Sequence, residues 1–345
     1  MLLVRATFGM RWETRSMESN PDDSKPVRHQ AADDAGHILK RIIGKLAHRH
    51  IIAFGKILGA AAYFLDVPHR RIVRRNLRFA YPDWSREKVE HISRRVFQNL
   101  GISFLEFFQV ASLSREQVLD RVRVVGLENL QNALKSKSGL ILVSAHLGSW
   151  ETGMLFVCCH IRKPLLGVVK KVRFAPLNRW VQRLRTRFGI KIIYKKGAMP
   201  EMRRMLRRGG VIGLLVDQSR RSEGVEVNFF GHKVTTTPAA AFLAIRCKSP
   251  VLPLFCVRDD SGRPTVVVQS PLEMKRTGDL RSDVQASTQI ITDVVEKAVR
   301  QYPDQWFWVH KRWKKFYPHL YPEYQLRRQR RKTREDRRER KNDQS

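Results

Sequence analysis

Leu140-Ile141-Leu142-Val143-Ser144-Ala145-His146-Leu147-Gly148-Ser149-Trp150-Glu151 is the stretch on which the reading of this chain turns. A short apolar run bounded by small residues reads as a buried strand, and Gly148 and Ser149 allow a sharp turn into a helix. A histidine therefore leaves the carboxyl end of a buried strand, and a carboxylate follows five residues later. Glu151, near the helix start, is expected to fold back onto the imidazole. A carboxylate on one ring nitrogen fixes the tautomer and leaves the other nitrogen as a general base. The adjacent helix N-terminus favours an oxyanion.

The spacing alone decides nothing. With 32 acidic residues among 345 and 11 histidines, about one such pair is expected by chance, and His29 with Asp34 is a second instance. That pair has no strand before it. The strand, the turn and the helix start single out His146.

Outward from this stretch, short apolar runs alternate with helical segments. Strands are expected at Arg123–Val125, Leu140–Ser144, Leu165–Val169, Lys191–Tyr194, Val211–Val216, Val251–Val257 and Thr265–Val268. Helical stretches fall near 127–136, 150–160, 176–188, 199–208 and 237–247, with a late helix from Val284 to Ala298. Such alternation predicts an α/β fold: a mostly parallel central sheet flanked by helices, with the site at the carboxyl ends of the strands.

Before residue 119 the pattern is helical. Ile51–Leu65 is apolar nearly all round and has cations at its flanks. As a helix it is about 22 Å long, against about 30 Å for a bilayer core. It reads as an amphipathic helix lying on a membrane, weighed against an ordinary core helix. Ser114 and Gln117 have capping-box spacing. The expected organisation is an unstructured extension over 1–37, a helical membrane-associated region over 38–118, the α/β domain over 119–322 and a basic tail over 323–345. Met17 is an alternative start to Met1.

The charge narrows the partners. Lys and Arg number 66 against 32 Asp and Glu, a net charge of +34. Residues 1–37 contribute −1 (5 basic, 6 acidic) and residues 326–345 contribute +6 (10 basic, 4 acidic), so the body between them holds +29. This excludes an acidic solvating protein and a neutral body with a basic tail. It calls for a polyanionic partner. Cys158, Cys159, Cys247 and Cys256 lack metal-ligand spacing and read as reduced, buried core thiols. No metal or cofactor is expected.

His146 to Glu151 after an apolar strand resembles the His-x4-Asp/Glu motif of the glycerolipid acyltransferases. Leu214-Leu215-Val216-Asp217-Gln218, Phe229-Phe230-Gly231-His232 with Thr236-Thr237-Pro238-Ala239, and Pro250–Phe255 resemble successive segments of the bacterial lipid A late acyltransferases. Upstream, Arg71–Arg75, Asn76-Leu77 and Tyr81-Pro82 match the same family, as does Gln305–Trp313 downstream. The resemblance runs in order over about residues 38–316. It implies transfer of a fatty acyl chain to a hydroxyl of a lipid A precursor or related phosphorylated glycolipid, with acyl carrier protein or acyl-CoA as co-substrate. It implies work at the cytoplasmic face of a bacterial inner membrane, among anionic lipids.

His146 and Glu151 are then the catalytic pair. The family's electrophilic arginine matches Lys171 here, so Lys171, Arg173 and Arg185 all stand as candidates. Asp217 and Gln218 suit either turn capping or substrate binding. Thr236 and Thr237 either cap the next helix or shape the acceptor site. The aromatic, basic stretch 306–313 suits a core or a membrane interface. Acylation of another lysolipid or glycolipid is the alternative within this class. A nucleic-acid-binding protein has only the charge in its favour, since no nucleic-acid-binding motif is seen. A hydrolase lacks its nucleophile elbow.

Overall fold

The computed structural model describes residues 43–44, 46–110, 112–169, 175–194, 197–219 and 224–323, with side chains omitted at several positions of 175–184. Lys171, Arg173, the 1–37 extension and the 326–345 tail lie outside the described residues.

Helix α1 (His48–Leu65) buries Ile51, Gly55, Gly59 and Tyr63, one residue per turn, and packs along α3 (Arg86–Val110). The two helices meet backbone to backbone at Gly55, Gly59 and Gly101. A Cβ at Gly59 would overlap the Phe97 carbonyl, and one at Gly101 the Gly55 carbonyl. Small residues are needed wherever helix axes approach this closely. The other side of α1 shows Phe54, Ile57, Phe64 and Leu65 to solvent, each more than half exposed. Asp66 ends α1 and caps α2 (Val67–Ala80) by accepting from His69 N at 3.2 Å. The two helices bend by 95° at that point, and no single described helix is long and apolar enough to cross a membrane. Helix α4 (Arg115–Arg121) starts with the Ser114–Gln117 capping box that the spacing predicts.

The central sheet has seven strands in the order β1-β9-β8-β2-β5-β3-β4. They are β1 (Arg123–Val125), β2 (Leu140–Ser144), β3 (Leu165–Val169), β4 (Ile190–Tyr194), β5 (Val211–Leu215), β8 (Val251–Arg258) and β9 (Pro264–Val268). Strands β8, β2, β5, β3 and β4 run parallel; β9 pairs antiparallel to β8, and β1 runs with β9. The mostly parallel sheet read from the sequence is therefore present, with a reversed edge that the alternation did not reveal. Helices α5 (Leu127–Ala133), α6 (Trp150–His160), α7 (Ala175–Thr186), α8 (Ala198–Arg207), α9 (Ala239–Cys247) and α10 (Leu280–Gln301) supply the flanking layers. Two apolar layers result, one on each face of the sheet.

The sequence reading had no strands between 216 and 251. The structure has a hairpin there, β6 (Val225–Phe229) and β7 (His232–Thr236). Its two-residue turn sets Phe230 at φ 55° and Gly231 at φ 74°. Hairpin turns of this kind need positive φ at both positions, and a bulky residue is strained there. Burial compensates: the Phe230 ring is 5% exposed and packs against Tyr81 and Trp308, with the Arg300 guanidinium 4.3 Å from its centre. The Phe-Phe-Gly motif is thus a turn whose strained residue is anchored in the core.

All four cysteines are free, and three are buried; Cys247 is only half-buried. Burial pushes the Cys158 thiol up to about 12 and the Cys159 thiol up to about 11, so neither is a nucleophile. Trp306, Trp308 and Trp313 are fully buried, which settles the aromatic stretch as core.

Candidate active site

The register of β2 and β5 builds the centre of the site. Ser144 lies opposite Leu215, and Val216 N donates to Ser144 O at 3.0 Å. Two residues beyond the last ladder pair, His146 and Asp217 leave the sheet side by side. Asp217 Oδ1 lies 2.8 Å from His146 Nδ1, and Asp217 Oδ2 accepts from His146 N at 3.0 Å and from Trp306 Nε1 at 2.9 Å. The Asp217 side chain is 2% exposed and the imidazole 20%. Burial alone would raise the Asp217 carboxyl; the His146 imidazole and the hydrogen bonds from His146 and Trp306 prevail and hold it well below the usual carboxylate range.

An ionised Asp217 makes Nδ1 the protonated nitrogen, which leaves Nε2 with its lone pair. The Gln218 amide sits 3.5 Å from Nε2, a long contact. The next residue is also fixed: Ser219 N donates to His310 Nε2 at 3.2 Å. Burial, with Lys314 and Arg312 nearby, holds the His310 imidazole well below its ordinary value, so it is neutral and able to accept.

The orienting carboxylate is Asp217, not Glu151 as the sequence spacing suggested. Glu151 lies in the first turn of α6 and pairs with Arg185 of α7, its Oε2 accepting from Arg185 Nε at 3.1 Å and its Oε1 meeting Nη2. The reason is directional. A parallel strand neighbour brings its end level with His146, whereas α6 carries Glu151 away and toward α7. Arg185 is the one cation of the three candidates within the described residues. Thr236 is 1% exposed, its hydroxyl turned inward to accept from Arg312 Nη2 at 2.5 Å. Thr237 Oγ1 accepts from Ala239 N at 3.4 Å just before α9, whose N-cap position is Pro238 and carries no side-chain cap.

The loop after His146 is held at several of its backbone polar groups. His146 O accepts from Phe307 N at 3.0 Å, and Gly148 N donates to Gln305 O at 3.0 Å. Ser149 N donates to Cys256 O at 2.8 Å. Gly148 has φ 57°, and a Cβ there would overlap the Cys256 carbonyl. Trp150 and Phe307 flank the imidazole, with ring centres 5.6 and 5.8 Å away. Sequence reading left 306–313 open between a core and a membrane interface and did not bring Gln305, Trp306 and Phe307 to the histidine; the tertiary fold does that.

Residues 24–315 match the sequence profile of the bacterial lipid A biosynthesis acyltransferases. The chain belongs to this family. It is 24% identical over 283 residues to the lipid A biosynthesis lauroyltransferase of Escherichia coli K12, covering 79% of this chain and 88% of that protein. It is 27% identical over 278 residues to a lipid A biosynthesis acyltransferase of Haemophilus influenzae, covering 77% and 84%. A phosphatidylinositol mannoside acyltransferase of Mycobacterium tuberculosis is 25% identical over 224 residues, covering 63% and 68%. The chain is an acyltransferase on this ground, and the match spans both the helical hairpin and the sheet that carries His146.

Proposed function

We propose that this acyltransferase moves a fatty acyl chain from an acyl carrier protein thioester, or from acyl-CoA, to a hydroxyl of a lipid A precursor or related phosphorylated glycolipid. The single observation that carries the mechanism is the His146–Asp217 pair, with Nδ1 bound to a buried carboxylate and Nε2 beside the Gln218 amide. The hydroxyl oxygen attacks the thioester carbonyl while Nε2 takes its proton. A C–O bond forms, the C–S bond breaks, and the proton passes from Nε2 to the leaving thiolate. Charge on the carbonyl oxygen needs a fixed cation or dipole. Arg185, tied down by Glu151, and the N-terminus of α6 are this chain's candidates, with Lys171 and Arg173 outside the described residues. Asp217 and Gln218 bound the space beside Nε2.

The place of work in this proposal is the cytoplasmic face of a bacterial inner membrane. The body's +29 suits anionic lipid, a phosphorylated acceptor and an acidic carrier together, at about 1 kcal/mol for each basic residue near an anionic surface. The exposed Phe54, Ile57, Phe64 and Leu65 of α1 supply the apolar contact. Mass spectrometry of membrane lipids tests the substrate: cells expressing the chain should gain one acyl group on a phosphorylated glycolipid, and cells with His146→Ala should not. An unchanged lipid profile on overexpression in a strain lacking late acylation would refute it. The second reading, acylation of a different glycolipid, is favoured only by the phosphatidylinositol mannoside relative, and the same spectra decide it.

A further inference from the structure

The loop that carries His146 is gripped from its other side by a polar cluster that the reaction does not use. Strand β8 lies beside β2 opposite to β5, so its last residue, Arg258, flanks the 145–149 loop as Asp217 does from β5. Arg258 and Glu106 of α3 form an ion pair with side chains 4% and 2% exposed. Arg258 Nε donates to Glu106 Oε1 at 3.1 Å and Nη2 to Oε2 at 2.5 Å, a fork that fixes both side chains. Two hydroxyls connect this pair to the loop. Ser149 Oγ donates to Glu106 Oε2 at 2.7 Å. Ser103 Oγ accepts from Arg258 Nη2 at 2.7 Å and lies 2.9 Å from Gly148 O. Gln305 closes the ring, accepting from Arg258 N at 2.8 Å and donating to Arg258 O at 2.9 Å.

Ser149 precedes α6 in the N-cap position, yet its side chain makes no capping bond. A serine there ordinarily accepts from the helix backbone. This one donates to a buried carboxylate instead. The helix start forgoes its cap so that the turn is tied to Glu106.

We propose that Glu106 and Arg258, acting through Ser149 and Ser103, are positioning residues that set where His146 Nε2 stands relative to the bound hydroxyl. Asp217 fixes the ring's tautomer and tilt; the Glu106–Arg258 pair fixes the main chain that the ring hangs from. A base held by its carboxylate alone swings with the loop, and misplacement by an ångström is costly to proton transfer. The inference rests on the acyl-transfer reading of His146.

Ser149→Ala in the full chain is the decisive variant, because it removes one hydroxyl and leaves the buried ion pair intact. Steady-state transfer from an acyl carrier protein thioester to a lipid A precursor should show kcat lower by about 10-fold, with KM within about two-fold of wild type. Ser149→Thr, which keeps the hydroxyl, should recover most of that loss. The melting transition should stay single and cooperative, and amide exchange should quicken at Gly148 and Ser149. Glu106→Gln should lower kcat further, and combining it with Ser149→Ala should add little. If Glu106→Gln fails to fold, the Ser149 pair of variants still decides. A Ser149→Ala enzyme with wild-type kcat, beside an inactive His146→Ala, overturns the clamp and leaves the catalytic reading standing. Wild-type kcat in His146→Ala overturns that reading, and the clamp with it.

Discussion

The carboxyl ends of β8, β2 and β5 and the α1–α3 helix pair solve opposite problems. At the strand ends, polar groups are buried and satisfied: Asp217 makes three hydrogen bonds, two with His146 and one with Trp306, and Glu106 is forked to Arg258. In the helix pair, the seam around Gly55, Gly59 and Gly101 is glycine and apolar side chains, while large apolar residues face outward. The first region holds charges where water is scarce and an imidazole needs a fixed partner. The second gives up buried side-chain area for close backbone contact and leaves large apolar side chains exposed. The proposed chemistry and the proposed membrane contact thus fall on different parts of the fold, sheet and helix pair, with α3 contacting both.

Breaking the strand-end region should have the largest effect. His146→Ala is expected to lower transfer by about 10³-fold with folding intact, measured as turnover per folded molecule. Asp217→Asn should cost about 10²-fold, since the neutral amide no longer fixes Nδ1 as the protonated nitrogen; turnover within two-fold of wild type would return the orienting role to Glu151.

The same Asp217 variant sharpens the comparison through pH. The carboxyl is depressed in the folded state, so its stabilisation is fully present above the ordinary carboxylate pKa of about 4 and is lost as pH falls toward its lower folded value. The stability gap between wild type and Asp217→Asn should therefore narrow as pH falls below about 4, read by chemical denaturation at each pH.

In the helix pair, Gly59→Leu forces a side chain into the Phe97 carbonyl and should destabilise the fold by about 1–3 kcal/mol or more, while leaving turnover per folded molecule near normal. Ile57→Asp should leave stability unchanged and weaken binding to anionic vesicles by about 10-fold, since burying such a side chain contributes about 1.5–3 kcal/mol. The smallest effect is expected from deleting 326–345, which holds +6 of the total +34. Vesicle affinity should drop a few-fold at low salt, and loss of all activity would contradict placing the charge in the body.

How much of this was legible in the sequence varies by element. The β2 strand, the turn at Gly148 and the α6 start were readable because each rests on a local pattern: an apolar run, a small-residue turn, a new helical period. The β6–β7 hairpin was missed. Its strands mix polar and apolar residues over only five positions each, and its turn uses Phe230, which local rules do not place at positive φ. Within the site, His146 was found by its setting, and Asp217 was singled out without its role. Glu151 was assigned a partner by proximity in sequence, and proximity in sequence was the wrong measure. Glu106, Ser103 and Arg258 had no signal at all, since an isolated Glu in a helix reads as a solvated face.

The sequence by itself singled out His146 and determined the class of fold and the family, because strand and helix periods are local and the motifs recur in order. Only the tertiary structure decided which carboxylate serves His146. That choice depends on the parallel register that sets Leu215 opposite Ser144 and brings Asp217 level with the imidazole, a relation between residues 71 positions apart. It also decided that Glu151 belongs to Arg185, and that the loop between them is gripped from β8 as well as β5. Local pattern names the residues that leave a strand end; which strands lie side by side settles what those residues meet.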